Sequence, residues 1–168
     1  MRGRHVLGIL GAGAAVVVMT ASPAFARGAA FSGEGSLLDD WWNEEIVSAS
    51  HHAKGNVTAL WQQILWSEGY LPAAEIDCEF GPKTTAASKK WQADHGLDAD
   101  GLIGKNTWKK AATEHLTAVN ATTVRYDGIE NKYITFTRPE AGGNWTMSLG
   151  SDRQVLWYDE TTFVKCAR

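Results

Sequence analysis

Cysteine is scarce in this chain of 168 residues: there are two, alongside four prolines and five histidines. Cys78 and Cys166 allow one intramolecular pairing, and neither has a histidine at zinc-ligand spacing. Long apolar runs are missing too. Val6–Met19 is the longest, short of the roughly 20 residues that cross a bilayer core as a helix. Nor is there an excess of base, with 16 Lys and Arg against 19 Asp and Glu and a net charge of −3. A polyanion partner such as nucleic acid is therefore excluded, because that affinity comes from clustered Lys and Arg.

The short apolar run has a specific setting. Arg2, Arg4 and His5 precede it, and Ala24-Phe25-Ala26 follows with the small-x-small form that signal peptidase cuts. Residues 1–26 therefore read as a signal peptide, against the alternative of a retained anchor. No cysteine follows closely enough for a lipoprotein. Export with cleavage after Ala26 gives a secreted, extracellular or wall-associated protein of net charge about −5, with no membrane contact after cleavage. In an oxidising compartment Cys78 and Cys166 are expected to form a disulfide, the alternative being two separate thiols.

Periodicity then divides the mature chain. Residues 27–50 comprise a small, Gly-rich leader and a short amphipathic helix: Ser36 as N-cap, then Leu38, Trp42 and Ile46 on one face. In residues 51–115, Val57, Leu60, Trp61, Ile64 and Leu65 mark a helix stopped by Gly69. Pro82 opens a second that Gly96 closes, and Asn106 or Thr107 opens a third to about His115. Residues 116–168 change texture. Runs at 122–126, 133–138, 145–149, 154–158 and 162–166 are rich in Val, Ile, Thr and aromatics, with turn signals between them. The fold expected is α+β: a small three-helix bundle, preceded by a short helix and followed by an antiparallel β-meander docked on it.

One motif occurs twice. IDCEFGPKT (76–84) and ADGLIGKNT (99–107) align at a constant offset of 23, pairing Asp77 with Asp100, Cys78 with Gly101, Phe80 with Ile103, Gly81 with Gly104 and Thr84 with Thr107. Each copy stands just before a helix. An Asp there can accept backbone N–H bonds, the apolar residue can plug the core, Gly permits a sharp turn and Thr can cap the helix.

With Trp61-Gln62, Leu65, Gly69-Tyr70, Trp91-Gln92, Gly96-Leu97 and Thr107-Trp108 in order around these copies, the stretch resembles the peptidoglycan-binding-like domain, a three-helix module of cell-wall hydrolases. It departs at Cys78, where Gly is usual, at Ser88, where a branched apolar residue is usual and which suggests a helix either partly solvated or covered by the added elements, and at Ala111, usually Leu. The resemblance implies noncovalent binding of peptidoglycan or its stem peptide in a groove beside the Asp-Gly loops. Candidate contacts are Trp66, Tyr70, Asp77, Lys83, Thr84, Asp100 and Lys105; cations and loop N–H groups suit stem-peptide carboxylates, and aromatics suit sugar faces. For Asp77, Asp100, Thr84 and Thr107, structural capping is the competing role. Gln62 and Gln92 suit loop bracing, and Trp61, Trp91 and Trp108 suit the core.

No catalytic set emerges. His51, His52, His95 and His115 show no zinc-peptidase spacing, and Cys166 is followed by no glycine-rich active-site loop. Nothing singles out a glycosidase carboxylate pair. The expectation is a non-catalytic protein without metal or cofactor. Two other readings stand beside wall binding: an exported factor, inhibitor-like or toxin-like, that binds an extracellular protein, and a targeting subunit of a separate hydrolase.

Overall fold

A computed structural model describes residues 29–33 and 35–166; the expected signal peptide lies outside them. Among the described residues no helix is long and apolar enough to cross a membrane.

Three helices come first, α1 (Asn56–Ser67), α2 (Pro82–Asp94) and α3 (Lys105–His115). Five strands follow: β1 (Leu116–Asn120), β2 (Thr123–Asp127), β3 (Tyr133–Thr137), β4 (Thr146–Leu149) and β5 (Asp152–Val155). They form one antiparallel sheet in the order β1-β2-β3-β4-β5, each hairpin joining neighbours. The chain is thus α+β.

Every residue of α1 except Trp66 is buried, so this helix is covered all round rather than lying on a surface. Its polar residues are consequently all engaged. Asn56 donates to Val155 O and Thr162 Oγ1, both at 2.6 Å, and accepts from Thr162 N at 2.9 Å. The backbone approach is equally close: a Cβ on Gly55 would lie 1.9 Å from Tyr158 O. Aromatic rings join the two layers. Trp108 meets Trp61 at 5.5 Å on one side, and Trp61 in turn meets Trp91 at 5.2 Å. On the other side Trp108 meets Phe31 at 5.3 Å and Trp41 at 6.1 Å, and Trp41 packs on Tyr126 and Phe136 of the sheet.

Several local expectations differ from the structure. The amphipathic helix expected after Ser36 is a 3-10 turn, Asp40–Asn43. Its supposed inner face is outside, with Leu38, Trp42 and Ile46 exposed and Trp41 in the core. The cause is polar: buried Arg138 donates to the carbonyls of Gly33 and Gly35 and lies 3.1 Å from Asp40 Oδ2, holding this stretch irregular. The described part of the Gly-rich leader is not loose either. Ala30 and Ser32 bridge to Trp157 and Asn144, because Phe31 between them is fully buried. Strand β1 was not among the expected runs; it is mostly exposed and carries no core pattern. The run 162–166 instead ends in a 3-10 turn, Val164–Cys166, where Cys166 bonds to Cys78.

Candidate functional site

The two copies of the repeated motif fold into two corners of matching construction. In the first, Gln62 reaches from α1: its Nε2 donates to Asp77 Oδ1 (2.7 Å), Glu79 O (3.0 Å) and Thr84 Oγ1 (3.0 Å). Its Oε1 accepts from the backbone N–H of Asp77 (3.1 Å) and Cys78 (2.9 Å). In the second, Gln92 reaches from α2: Nε2 donates to Asp100 Oδ1 (2.9 Å), Leu102 O (3.0 Å) and Thr107 Oγ1 (3.2 Å), and Oε1 accepts from Gly101 N (2.8 Å). Each Asp also accepts from the N–H two residues on, Glu79 and Leu102. Phe80 and Ile103 are buried beneath.

Both corners require a left-handed residue at the same point, Cys78 at φ 66° and Gly101 at φ 78°. Glycine suits that conformation; cysteine there is disfavoured by its Cβ. Thr84 and Thr107 do not cap their helices. The N-caps are Gly81 and Gly104, without side-chain cap bonds, and each Thr stands in the first turn with its hydroxyl turned inward to the Gln. Ser88 is buried rather than solvated: it accepts from Trp61 Nε1 at 2.8 Å and donates to Thr84 O.

The corners differ in what lies over them. The first is bordered by the C-terminal turn: Lys54, Asp77, Glu79, Lys165 and Cys166 share one opening, and Lys165 Nζ donates to Ala73 O at 2.8 Å. The second opens on a cleft of about 580 Å³ lined by Ile46, Leu97, Asp98, Asp100, Leu102 and Lys105, among others. The structure does not gather the seven candidate contacts in one place. Asp100 and Lys105 line the cleft at the second corner, and Asp77 the opening at the first. Tyr70 and Lys83 lie in a third depression with Leu71, Pro72 and Lys90. There Lys83 pairs with Glu75 at 2.6 Å, whereas Lys105 makes no ion pair among the described residues. Burial, then the hydrogen bond to Asp94, pushes the Tyr70 hydroxyl up to about 12. Trp66 is half-buried elsewhere, with Lys132 over its ring, and Thr84 is only 2% exposed.

A second polar constellation was not anticipated. Glu68, His95 and His115 converge so that one ligand atom of each lies within 4.8 Å of the others. Local spacing cannot reveal it, because the three residues come from three helices. A signal was nevertheless present: Glu68 and His95 each immediately precede a helix-stopping glycine, and His115 ends α3.

Residues 54–110 match the protein family described as "Putative peptidoglycan binding domain". Among curated proteins, an "Uncharacterized protein in bpoA1 3'region" of Kitasatospora aureofaciens is 43% identical over 54 residues, 32% of this chain and 45% of that protein. The chain thus matches less than half the length of that relative. No solved structure matches. The stretch that matches the peptidoglycan-binding domain family, residues 54–110, contains both corners and most of the three helices that build them.

Proposed function

We propose that the chain is an exported, non-catalytic protein that binds cell-wall peptidoglycan through the three-helix unit, using the cleft beside the second corner. The observation that carries this is the doubled Gln–Asp–Thr corner within a stretch matching the peptidoglycan-binding family. The second corner is favoured over the first because it is open and its cation makes no ion pair among the described residues. Lys105 suits a stem-peptide carboxylate, while Ile46, Leu97 and Leu102 offer an apolar wall. Asp77 and Lys83 stand aside, one under the C-terminal turn and the other already paired; Thr84 serves the corner from within. Tyr70, in the third depression, and Trp66, half-buried elsewhere, lie apart from the cleft and from each other as aromatic surfaces for sugar. The Cys78–Cys166 bridge supports an oxidising, extracytoplasmic location. The sheet serves as a fixed accessory layer over α1.

The test is retention on purified, protein-free sacculi, followed by muropeptide titration with amide shifts recorded. Binding should move amides of residues 97–107 and weaken in Lys105→Ala. Absence of retention at low salt, or shifts confined to the sheet, would overturn the reading.

A further inference from the structure

Three helix ends meet at one point against the sheet. Glu68 follows the last residue of α1, His95 follows the last residue of α2, and His115 is the last residue of α3. Helix C-termini carry partial negative charge and favour a cation. Here three are combined with two carboxylates, since Glu114 Oε2 lies 3.7 Å from His95 Nε2. Lys110 is bound to the other oxygen of Glu114 at 2.6 Å.

The imidazoles are oriented before any ion arrives. His95 Nδ1 lies 2.7 Å from Trp91 O and His115 Nδ1 lies 2.8 Å from Asp127 O. A carbonyl only accepts, so both Nδ1 atoms carry a proton, and Nε2 is the ring atom left to ligate an ion. Those two atoms face Glu68 Oε2 at 3.5 and 3.7 Å. Backbone carbonyls behind metal-bound histidines are a common supporting arrangement. The rings are further clamped by stacking, His95 on Trp91 (3.9 Å between centroids) and His115 on Tyr126 (5.0 Å). Glu68 is anchored as well, its Oε1 accepting from Trp91 Nε1 at 2.9 Å and from Tyr126 OH. Only Oε2 is left aimed at the histidines.

We propose that His95 Nε2, His115 Nε2 and Glu68 Oε2, with Glu114 as fourth ligand, hold a divalent transition-metal ion of the zinc class. Two imidazoles and two carboxylates suit such an ion, and ligand atoms of a tetrahedral site stand roughly 3.3 Å apart at bond lengths of about 2.0–2.2 Å. The Glu68–histidine distances are already close to that, and the partly exposed Glu114 can close from the solvent side. The ion would clasp the ends of all three helices to β2, which contributes Tyr126 and Asp127. This site is independent of the cleft at the second corner.

The test uses tag-free protein stripped with chelator, titrated with ZnCl2 by calorimetry and with Co(II) by absorption. One equivalent should bind, with the d–d spectrum of tetrahedral Co(II). Affinity should fall at least about tenfold in His115→Ala and in Glu114→Gln, the latter at the exposed margin where folding is least at risk. The variant His51→Ala/His52→Ala should bind as the parent does. In imidazole 15N spectra of the parent, zinc should shift Nε2 of His95 and His115 and leave Nδ1 protonated. Absence of stoichiometric binding, binding retained in both ligand variants, or Nε2 resonances unmoved by zinc would each overturn the proposal.

Discussion

Removing the Cys78–Cys166 bridge separates chain entropy from local backbone preference. The cysteines are 88 residues apart, and cross-linking a loop of that size removes about 4–5 kcal/mol of unfolded-state freedom in the chain-entropy account. The bridge is anchored, however, on a residue at φ 66°, where a Cβ costs about 1–2 kcal/mol. The same position in the second corner is Gly101. Cys78→Ser/Cys166→Ser is therefore expected to lose about 4–5 kcal/mol. Cys78→Gly/Cys166→Ser should lose about 1 kcal/mol less, because relief of the left-handed strain exceeds the extra entropy glycine gives the unfolded chain. Equilibrium urea unfolding followed by tryptophan fluorescence measures both, with the slope checked for constancy. Equal midpoints for the two double variants would refute the strain argument. A loss under about 1 kcal/mol would refute the entropic one.

Other expectations follow from the same geometry. Burial raises the Glu44 carboxyl to about 7 despite its hydrogen bond from Tyr158, so its contribution to stability is greatest below its unfolded value and falls as pH rises towards 7. His52 acts in the same direction: burial pulls it down, but Asp159 and Glu45, each at 2.8 Å, outweigh that and raise it. Its contribution is complete below about 6.5 and is lost as pH rises through the folded value. Urea midpoints should therefore decline between pH 5 and 8, and Glu44→Gln should flatten that decline by at most about 3 kcal/mol; an unchanged slope would contradict it. Gln92→Leu strands the Gly101 N–H and should cost about 2–4 kcal/mol by thermal unfolding, and should weaken sacculus retention more than Gln62→Leu does. Gly55→Ala drives a Cβ into Tyr158 O and should destabilise by more than about 2 kcal/mol, whereas Gly81→Ala, with open space at its Cβ, should cost less.

What the sequence disclosed depended on the range of the interaction. Helices α1 to α3 follow from local apolar spacing and from Gly69, Pro82 and Gly96, and the corners from a motif written twice. The alternating strands β2 to β4 were equally visible. Residues 36–46 misled because Trp41 and Trp42 fit a helical stripe in isolation, while Arg138, about a hundred positions away, decides their conformation. The capping role expected of Thr84 and Thr107 failed for a related reason: the hydroxyl of each has a better partner in a glutamine from another helix. Strand β1 lacks alternation because its exposed side chains, such as Val119, have no layer to face. The Glu68–His95–His115 cluster leaves no fixed interval along one element, because its members meet only where three helix ends converge.

The enclosure of α1, with only Trp66 left part-exposed, makes its burial depend on residues far away in sequence. Trp91 of α2 and Trp108 of α3 pack on its Trp61, while Val155, Tyr158 and Thr162, about a hundred positions on, close over Gly55 and Asn56 at its start. A chain cut short of residues 155–162 would leave the start of α1, the most apolar of the three described helices, open to water.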